Sequence, residues 1–200
     1  MSKSAPGVRY AEVERETSET VVRVVLDLDG GSRQDISTGI GFFDHMLELL
    51  AFHGHVDLGV KAEGDLDVDD HHTVEDVGLV FGKAIREALG EDPIERYADN
   101  HTIMDDALVL TVLDASGRGH LSFDCEFSRD SLGTLSTECV AEFFRAVARS
   151  SRFGIHIRKL AGTNDHHSCE AIFKGFGRAL HNATRRSERR GAISTKGKTD

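Results

Sequence analysis

One six-residue pattern occurs twice in this chain and limits what it can fold into. Asp70-His71-His72-Thr73-Val74-Glu75 is answered by Asp165-His166-His167-Ser168-Cys169-Glu170, with His166 standing 95 residues after His71 in a chain of 200. Longer frames match at the same offset. HHTVEDVGLVFGKAIREAL covers residues 71–89 and HHSCEAIFKGFGRALHNAT covers 166–184. Phe81 falls on Phe176, Gly82 on Gly177 and Ile85 on Leu180. A register held over that length implies an internal repeat. The expectation is one domain of two pseudo-symmetric halves, about residues 1–92 and 93–200.

Each half carries the same order of local signals. Val21 to Asp29 is rich in β-branched residues and ends in Asp29-Gly30-Gly31, a hairpin-turn signal, with Gln34 to Ser37 as its expected partner strand. Phe43, Met46, Leu47 and Leu50 have helical spacing, whereas Val56, Leu58, Val60 and Ala62 alternate as in a strand. A helix over 71–89 then buries Val74, Val77, Phe81, Ile85 and Ala88, with Gly90 past its end. In the second half Ala107 to Asp114 is an apolar strand closed by Ser116-Gly117, and Leu121, Phe123, Cys125 and Phe127 alternate. Ser136 is placed to cap a helix through Arg149, and Ile155, Ile157 and Lys159 mark a strand before the second His-His helix. Each half reads as β-β-α-β-α. The fold class is α+β, with mixed sheets, helices on one face, and the two helix layers packed together.

The paired histidines suit metal chemistry. Helical residues four apart share a face, while adjacent residues diverge by roughly 100°. His71 with Glu75, and His166 with Glu170, can therefore each chelate one ion, while His72 and His167 point towards another. Two such helices side by side build two sites, each drawing ligands from both halves. Imidazole with carboxylate suits Mn, Fe, Zn or Ni rather than a soft thiolate site. Cys169 stands opposite Val74 in the repeat and reads as a packing residue. The plain alternative is a set of polar residues at helix starts; the doubling inside matched apolar frames argues against it.

Composition excludes several other classes. A net charge of −10 disfavours a nucleic-acid-binding surface. No apolar run reaches the roughly 18 residues of a membrane span, and residues 1–10 lack the apolar stretch of a secretory signal. Three scattered cysteines suit a reducing cytoplasm. Basic residues nonetheless gather at the end, at Arg185, Arg186, Arg189, Arg190, Lys196 and Lys198, as a solvated tail or an anion clamp.

At this point the chain resembles the imidazoleglycerol-phosphate dehydratases of histidine biosynthesis. The residues that carry the likeness are Arg15-Glu16-Thr17-Ser18-Glu19-Thr20, Gly41-Phe42-Phe43-Asp44-His45-Met46 and both His-His-x-x-Glu motifs. With them go Ser116-Gly117-Arg118, His156-Ile157-Arg158-Lys159-Leu160-Ala161-Gly162 and Ser194-Thr195-Lys196-Gly197. The resemblance implies a duplicated half-domain like the second domain of ribosomal protein S5. It also implies a hydro-lyase turning D-erythro-imidazoleglycerol phosphate into imidazoleacetol phosphate. Two divalent metals, most often Mn²⁺, go with that activity, in a cytoplasmic homo-oligomer, commonly a 24-mer, with active sites between subunits.

Carried over by motif, one metal takes His45, His72, His166 and Glu170, and the other His71, Glu75 and His167. The family usually completes the second set with a histidine, where this chain has Glu142 before Phe143-Phe144. A carboxylate can replace imidazole toward a hard ion. These ligands also bind the substrate's imidazole ring, whose imidazolate acts as an electron sink, forming a diazafulvene as water leaves. Glu19 is the expected base, with His53 and metal-bound groups such as Glu170 assisting. Arg96, Arg118, Lys174, Ser194, Thr195 and Lys196 are the expected hold on the substrate's phosphate. A different di-metal enzyme acting on a phosphorylated metabolite, such as a phosphoesterase, and a metal-storage or metal-sensing protein are the alternatives. The first would rely on bridging aspartates, and the second would need neither Glu19 nor the phosphate clamp. At this length no fused phosphatase domain is expected.

Overall fold

The computed structural model describes residues 7–187. Ser194, Thr195 and Lys196, expected to hold the phosphate, lie outside the described residues. The first half runs β1 (Tyr10–Glu16), β2 (Thr20–Asp27), β3 (Gln34–Ser37), α1 (Gly41–Gly54), β4 (Asp57–Gly64) and α2 (His71–Leu89). The second runs β5 (Tyr97–Met104), β6 (Ala107–Asp114), β7 (His120–Asp124), the short pair β8 (Ser131–Leu132) and β9 (Leu135–Ser136), α3 (Thr137–Ser151), β10 (Gly154–Ala161) and α4 (Asp165–Thr184). Two four-stranded sheets result, ordered β1-β2-β4-β3 and β5-β6-β10-β7. The orders correspond strand for strand, so the duplication holds at the level of topology.

Three expectations need correction. Each four-stranded sheet carries one strand more than the sequence pattern gave, β1 and β5, so that each half, leaving aside the short β8–β9 pair, reads β-β-β-α-β-α. Gln34–Ser37 is not the hairpin partner of β2. Both edges of β2 are taken, by β1 and β4, and β3 pairs in parallel with β4 after crossing through α1. Likewise β7 pairs in parallel with β10 through α3, so each mixed sheet contains a β-α-β crossover. Ser136 does precede α3, but its side chain makes no capping bond; its hydroxyl donates to Asp70 instead.

Alternation drives the layering. In β2 Val22, Val24 and Leu26 point inward, and in β6 Val109, Thr111 and Leu113 do. Helix α2 lies on β1, β2 and β4, and α4 on β5 and β6, while α2 packs on α3 and α1 on α4. The order is sheet, helices, helices, sheet. Val74, Val77, Phe81, Ile85 and Ala88 are all buried, as their spacing predicts. Phe143 of α3 sits at the centre, with its ring centroid 5.3 Å from Phe43, 5.4 Å from Phe173 and 6.3 Å from Phe81. One residue thereby joins all four helices, and burying such a ring contributes roughly 2–3 kcal/mol. No helix among the described residues is long and apolar enough to cross a membrane.

Candidate metal centre

Three of the proposed ligands meet in the groove between α1 and α4. Nε2 of His166 lies 2.9 Å from Oε1 of Glu170, one helical turn along, and Nε2 of His45 reaches the same oxygen at 3.5 Å. Donor atoms of His45, His166 and Glu170 all fall within 4.8 Å of one another, and this is the only such group among the described residues. Glu170 is buried, His45 half-buried and His166 exposed, so the cluster opens to solvent on one side. Phe42 backs the His166 ring at 5.1 Å.

The second oxygen of Glu170 is taken by Nζ of Lys174 at 2.5 Å, and that ammonium also lies 3.2 Å from the Met104 sulfur. Burial pushes the Glu170 carboxyl up, but the hydrogen bonds from Lys174 and His166 outweigh it and keep it below the ordinary glutamate range. The carboxylate is thus ionised, with Oε1 turned towards two imidazoles. Two ring nitrogens and one carboxylate oxygen fit a borderline or hard divalent cation. A thiolate has no part in it. Burial pushes the thiol of Cys139 up to about 12 and that of Cys169 higher still.

Lys174 thus adjoins the cluster, whereas the remaining proposed metal ligands and Glu19 stand apart from it within one chain. His72 turns its Nδ1 to Asp65 at 3.0 Å, and Glu19, exposed in the turn between β1 and β2, lies 3.8 Å away. The hydrogen bond that its ring donates to Asp65 holds the His72 imidazole above its ordinary pKa. His167 turns its Nδ1 to Asp106 at 2.8 Å, and its Nε2 is 3.5 Å from Asp105. His71 packs edge-on to His72. Glu75 accepts from Arg149 at 3.1 Å, and Glu142 pairs with Arg145 one turn along α3. His53 is half-buried on α1. Burial, with Lys174, Arg178 and His55 nearby, depresses its pKa.

The two arginines differ. Arg96 is buried, its guanidinium paired with Asp114 at 2.7 Å and lying 4.7 Å from the Tyr97 ring centre. Arg118 is exposed beside the Ser116-Gly117 turn and has no ion-pair partner among the described residues. Sequence reasoning passed over Asp65, Asp106 and the paired Asp70 and Asp165. The last two were visible as the first residue of each repeat; Asp65 and Asp106 lie at unmatched positions and left no signal.

These features define a class: a duplicated α+β protein whose halves meet through helices, with a histidine–carboxylate centre suited to a divalent metal. A family profile described as imidazoleglycerol-phosphate dehydratase matches residues 38–180. The chain is 54% identical over 190 residues to the imidazoleglycerol-phosphate dehydratase of Clostridium botulinum, covering 94% of this chain and 97% of that one. It is also 54% identical over 191 residues to that of Acetivibrio thermocellus, covering 94% and 98%. The solved enzyme of Pyrococcus furiosus superposes with a TM-score of 0.82 at 39% identity, covering 92% of this chain and 99% of that one. The Staphylococcus aureus structure gives 0.81 at 38%, covering 89% and 99%. The chain belongs to the imidazoleglycerol-phosphate dehydratase family.

Proposed function

We propose that this chain dehydrates D-erythro-imidazoleglycerol phosphate to imidazoleacetol phosphate in L-histidine biosynthesis. The observation that carries the reading is the convergence of His45, His166 and Glu170 within a chain of this family. One divalent ion is held by these three with His72, and a second by His71, Glu75 and His167 with Glu142 in the place of a further ligand. Bound Mn²⁺ supplies Lewis acidity at the imidazole ring of the substrate. In the reaction one C–H bond and the neighbouring C–OH bond break, water leaves, and the enol formed becomes the ketone. Glu19 is the base that takes the carbon-bound proton, helped by its exposed position beside His72. His53, its pKa depressed by burial, donates a hydrogen bond to the departing hydroxyl, and the proton taken from carbon completes the water.

Arg118, Lys174 and Arg96 hold the phosphate together with Ser194, Thr195 and Lys196. Arg96 and Lys174 are already engaged by Asp114 and Glu170, so Arg118 is the cation readiest to meet it. The protein works in the cytoplasm as one domain with halves at about 1–92 and 93–200. It assembles as a 24-mer whose sites are completed by a neighbouring copy. The separation of His71, Glu75, Glu142 and His167 from the central cluster supports that assembly.

The test is direct. Purified protein with Mn²⁺ and imidazoleglycerol phosphate is expected to yield the enol or ketone, read by ultraviolet absorbance. Release of inorganic phosphate, or metal binding without turnover, would sink the proposal. Glu19→Gln is expected to bind Mn²⁺ as wild type does and to lose about 10²–10⁴-fold in kcat.

A further inference from the structure

His72 and His167 occupy equivalent places in the two halves, and each presents Nδ1 to a carboxylate. Nδ1 of His72 lies 3.0 Å from Oδ2 and 3.3 Å from Oδ1 of Asp65. Nδ1 of His167 lies 2.8 Å from Oδ1 of Asp106. The two acids are not equivalent. Asp65 follows β4 on the link to α2, whereas Asp106 sits in the turn between β5 and β6. In the second half the corresponding link, residues 162–164, contains no acid. The halves thus differ in which segment supplies the carboxylate and agree on the ring atom it meets. Surface packing alone gives no reason for one nitrogen to be chosen twice through unrelated segments.

We propose that Asp65 and Asp106 are positioning residues that fix the Nδ1–H tautomer of His72 and His167, so that each presents the lone pair of Nε2 to a divalent cation. The inference rests on the two-ion reading above. An ionised carboxylate only accepts hydrogen bonds, so the ring nitrogen facing it carries the proton. A neutral imidazole held in this way has its lone pair on the other nitrogen, aimed by the same contact. Asp106 also anchors the ring's own helix. Its Oδ2 accepts from the backbone N–H of Thr163 at 2.7 Å and of Asn164 at 3.1 Å, just ahead of α4. Asp105, exposed at 3.5 Å from Nε2 of His167, adds negative charge on the side from which a cation approaches.

Asp65→Asn and Asp106→Asn in the full-length protein test this. At position 106 the carboxamide oxygen can keep the Thr163 and Asn164 contacts while its NH2 faces Nδ1. That reverses the tautomer and puts the proton on Nε2. Three readouts apply: the apo melting temperature, Mn²⁺ affinity from the electron paramagnetic resonance of free ion, and nitrogen coupling to bound Mn²⁺ by pulsed resonance. Apo melting is expected within ~2 °C of wild type. One ion per site is expected to bind roughly 10–100-fold more weakly, with reduced nitrogen coupling. Affinity within about twofold of wild type in both variants overturns the inference, since loss of such a partner typically costs far more. So does a loss of affinity that disappears once the variants are measured well below their melting points. If His72→Gln and His167→Gln also bind Mn²⁺ as wild type does, the two-ion reading itself fails. If those two weaken binding and the asparagine variants do not, only the positioning role fails.

Discussion

Asp70 and Asp165 stand one residue ahead of the paired histidines, and both are buried. Neither faces the metal centre. Asp70 accepts from the backbone N–H of Ser136 at 2.5 Å and from its hydroxyl at 2.8 Å. Asp165 accepts from the N–H of Ser128 at 2.8 Å and of Arg129 at 2.9 Å, and from the Ser128 hydroxyl. Burial pushes the Asp165 carboxyl up, and these bonds more than reverse it, so it stays charged. Asp70 ties the start of α2 to the end of β9, and Asp165 ties the start of α4 to the segment at Ser128 and Arg129, which sets where the imidazoles begin. Asp70→Ala strands a part-buried N–H and hydroxyl of Ser136 at the β9–α3 junction. It is expected to cost about 1–3 kcal/mol in urea unfolding, because an unsatisfied buried donor loses its full desolvation. Asp70→Asn should recover part of that. An unchanged urea midpoint in Asp70→Ala would count against this anchoring.

The helices approach one another through glycine. A Cβ on Gly177 would lie 2.3 Å from the Leu50 carbonyl oxygen and 3.0 Å from the Gly54 nitrogen, so α4 sits directly on the α1 backbone. Its repeat partner Gly82 does the same against α3, with a Cβ 2.7 Å from the Val147 carbonyl oxygen. Alanine favours helix by ~1 kcal/mol over glycine, but overpacking costs typically ~1–3 kcal/mol and here the obstacle is backbone. Gly177→Ala is therefore expected to melt several degrees lower and to displace His45 from Glu170, read as weaker Mn²⁺ binding. The pairing of Gly82 with Gly177 was legible in the sequence, and so were both His-His helices, because their apolar spacing is local. Strands β1 and β5 were not. β1 buries only Ala11 and Val13, and β5 fully buries only Thr102, with Ala98 and Met104 partly buried; the rest of each is polar or exposed. They are strands because β2 and β6 offer free edges, a non-local cause that no window of sequence contains. The turn at Asp29-Gly30-Gly31 was read correctly as a turn, but where the chain goes next depends on which edges remain open. At the site, the repeat pointed to His166 with Glu170, while His45 came from the family resemblance. Asp65 and Asp106 reach their histidines from loops of unrelated sequence, and so were hidden.

At the scale of the molecule, one chain gathers three ligand residues and leaves the rest of both proposed sets on its surface. If neighbouring copies complete them, the ions act as cross-links between chains. Chelation with EDTA is then expected to shrink the assembly, and Mn²⁺ to restore it, as read by sedimentation velocity; an assembly indifferent to chelation would refute the cross-link. Proton uptake bears on the same joint from inside the chain. His181 of α4 stacks edge-on to His55 at 5.0 Å, where the end of α1 meets α4. Burial lowers its pKa first, with His55, Arg185 and Arg9 adding to the effect against a hydrogen bond involving the Gly54 backbone. An imidazole depressed in the folded state binds fewer protons than the unfolded chain, whose histidine titrates near ~6.5. The stability it preserves is complete above that value and falls away as pH drops through the folded pKa. For the metal-free protein at fixed concentration, the urea midpoint should therefore decline between about pH 7 and 5. His181→Gln removes one of the groups that must take up a proton, and so should flatten that decline while leaving the midpoint above pH 7 with little pH dependence of its own. A variant that declines as steeply as wild type would show that protonation at the α1–α4 joint does not weaken the packing of the halves.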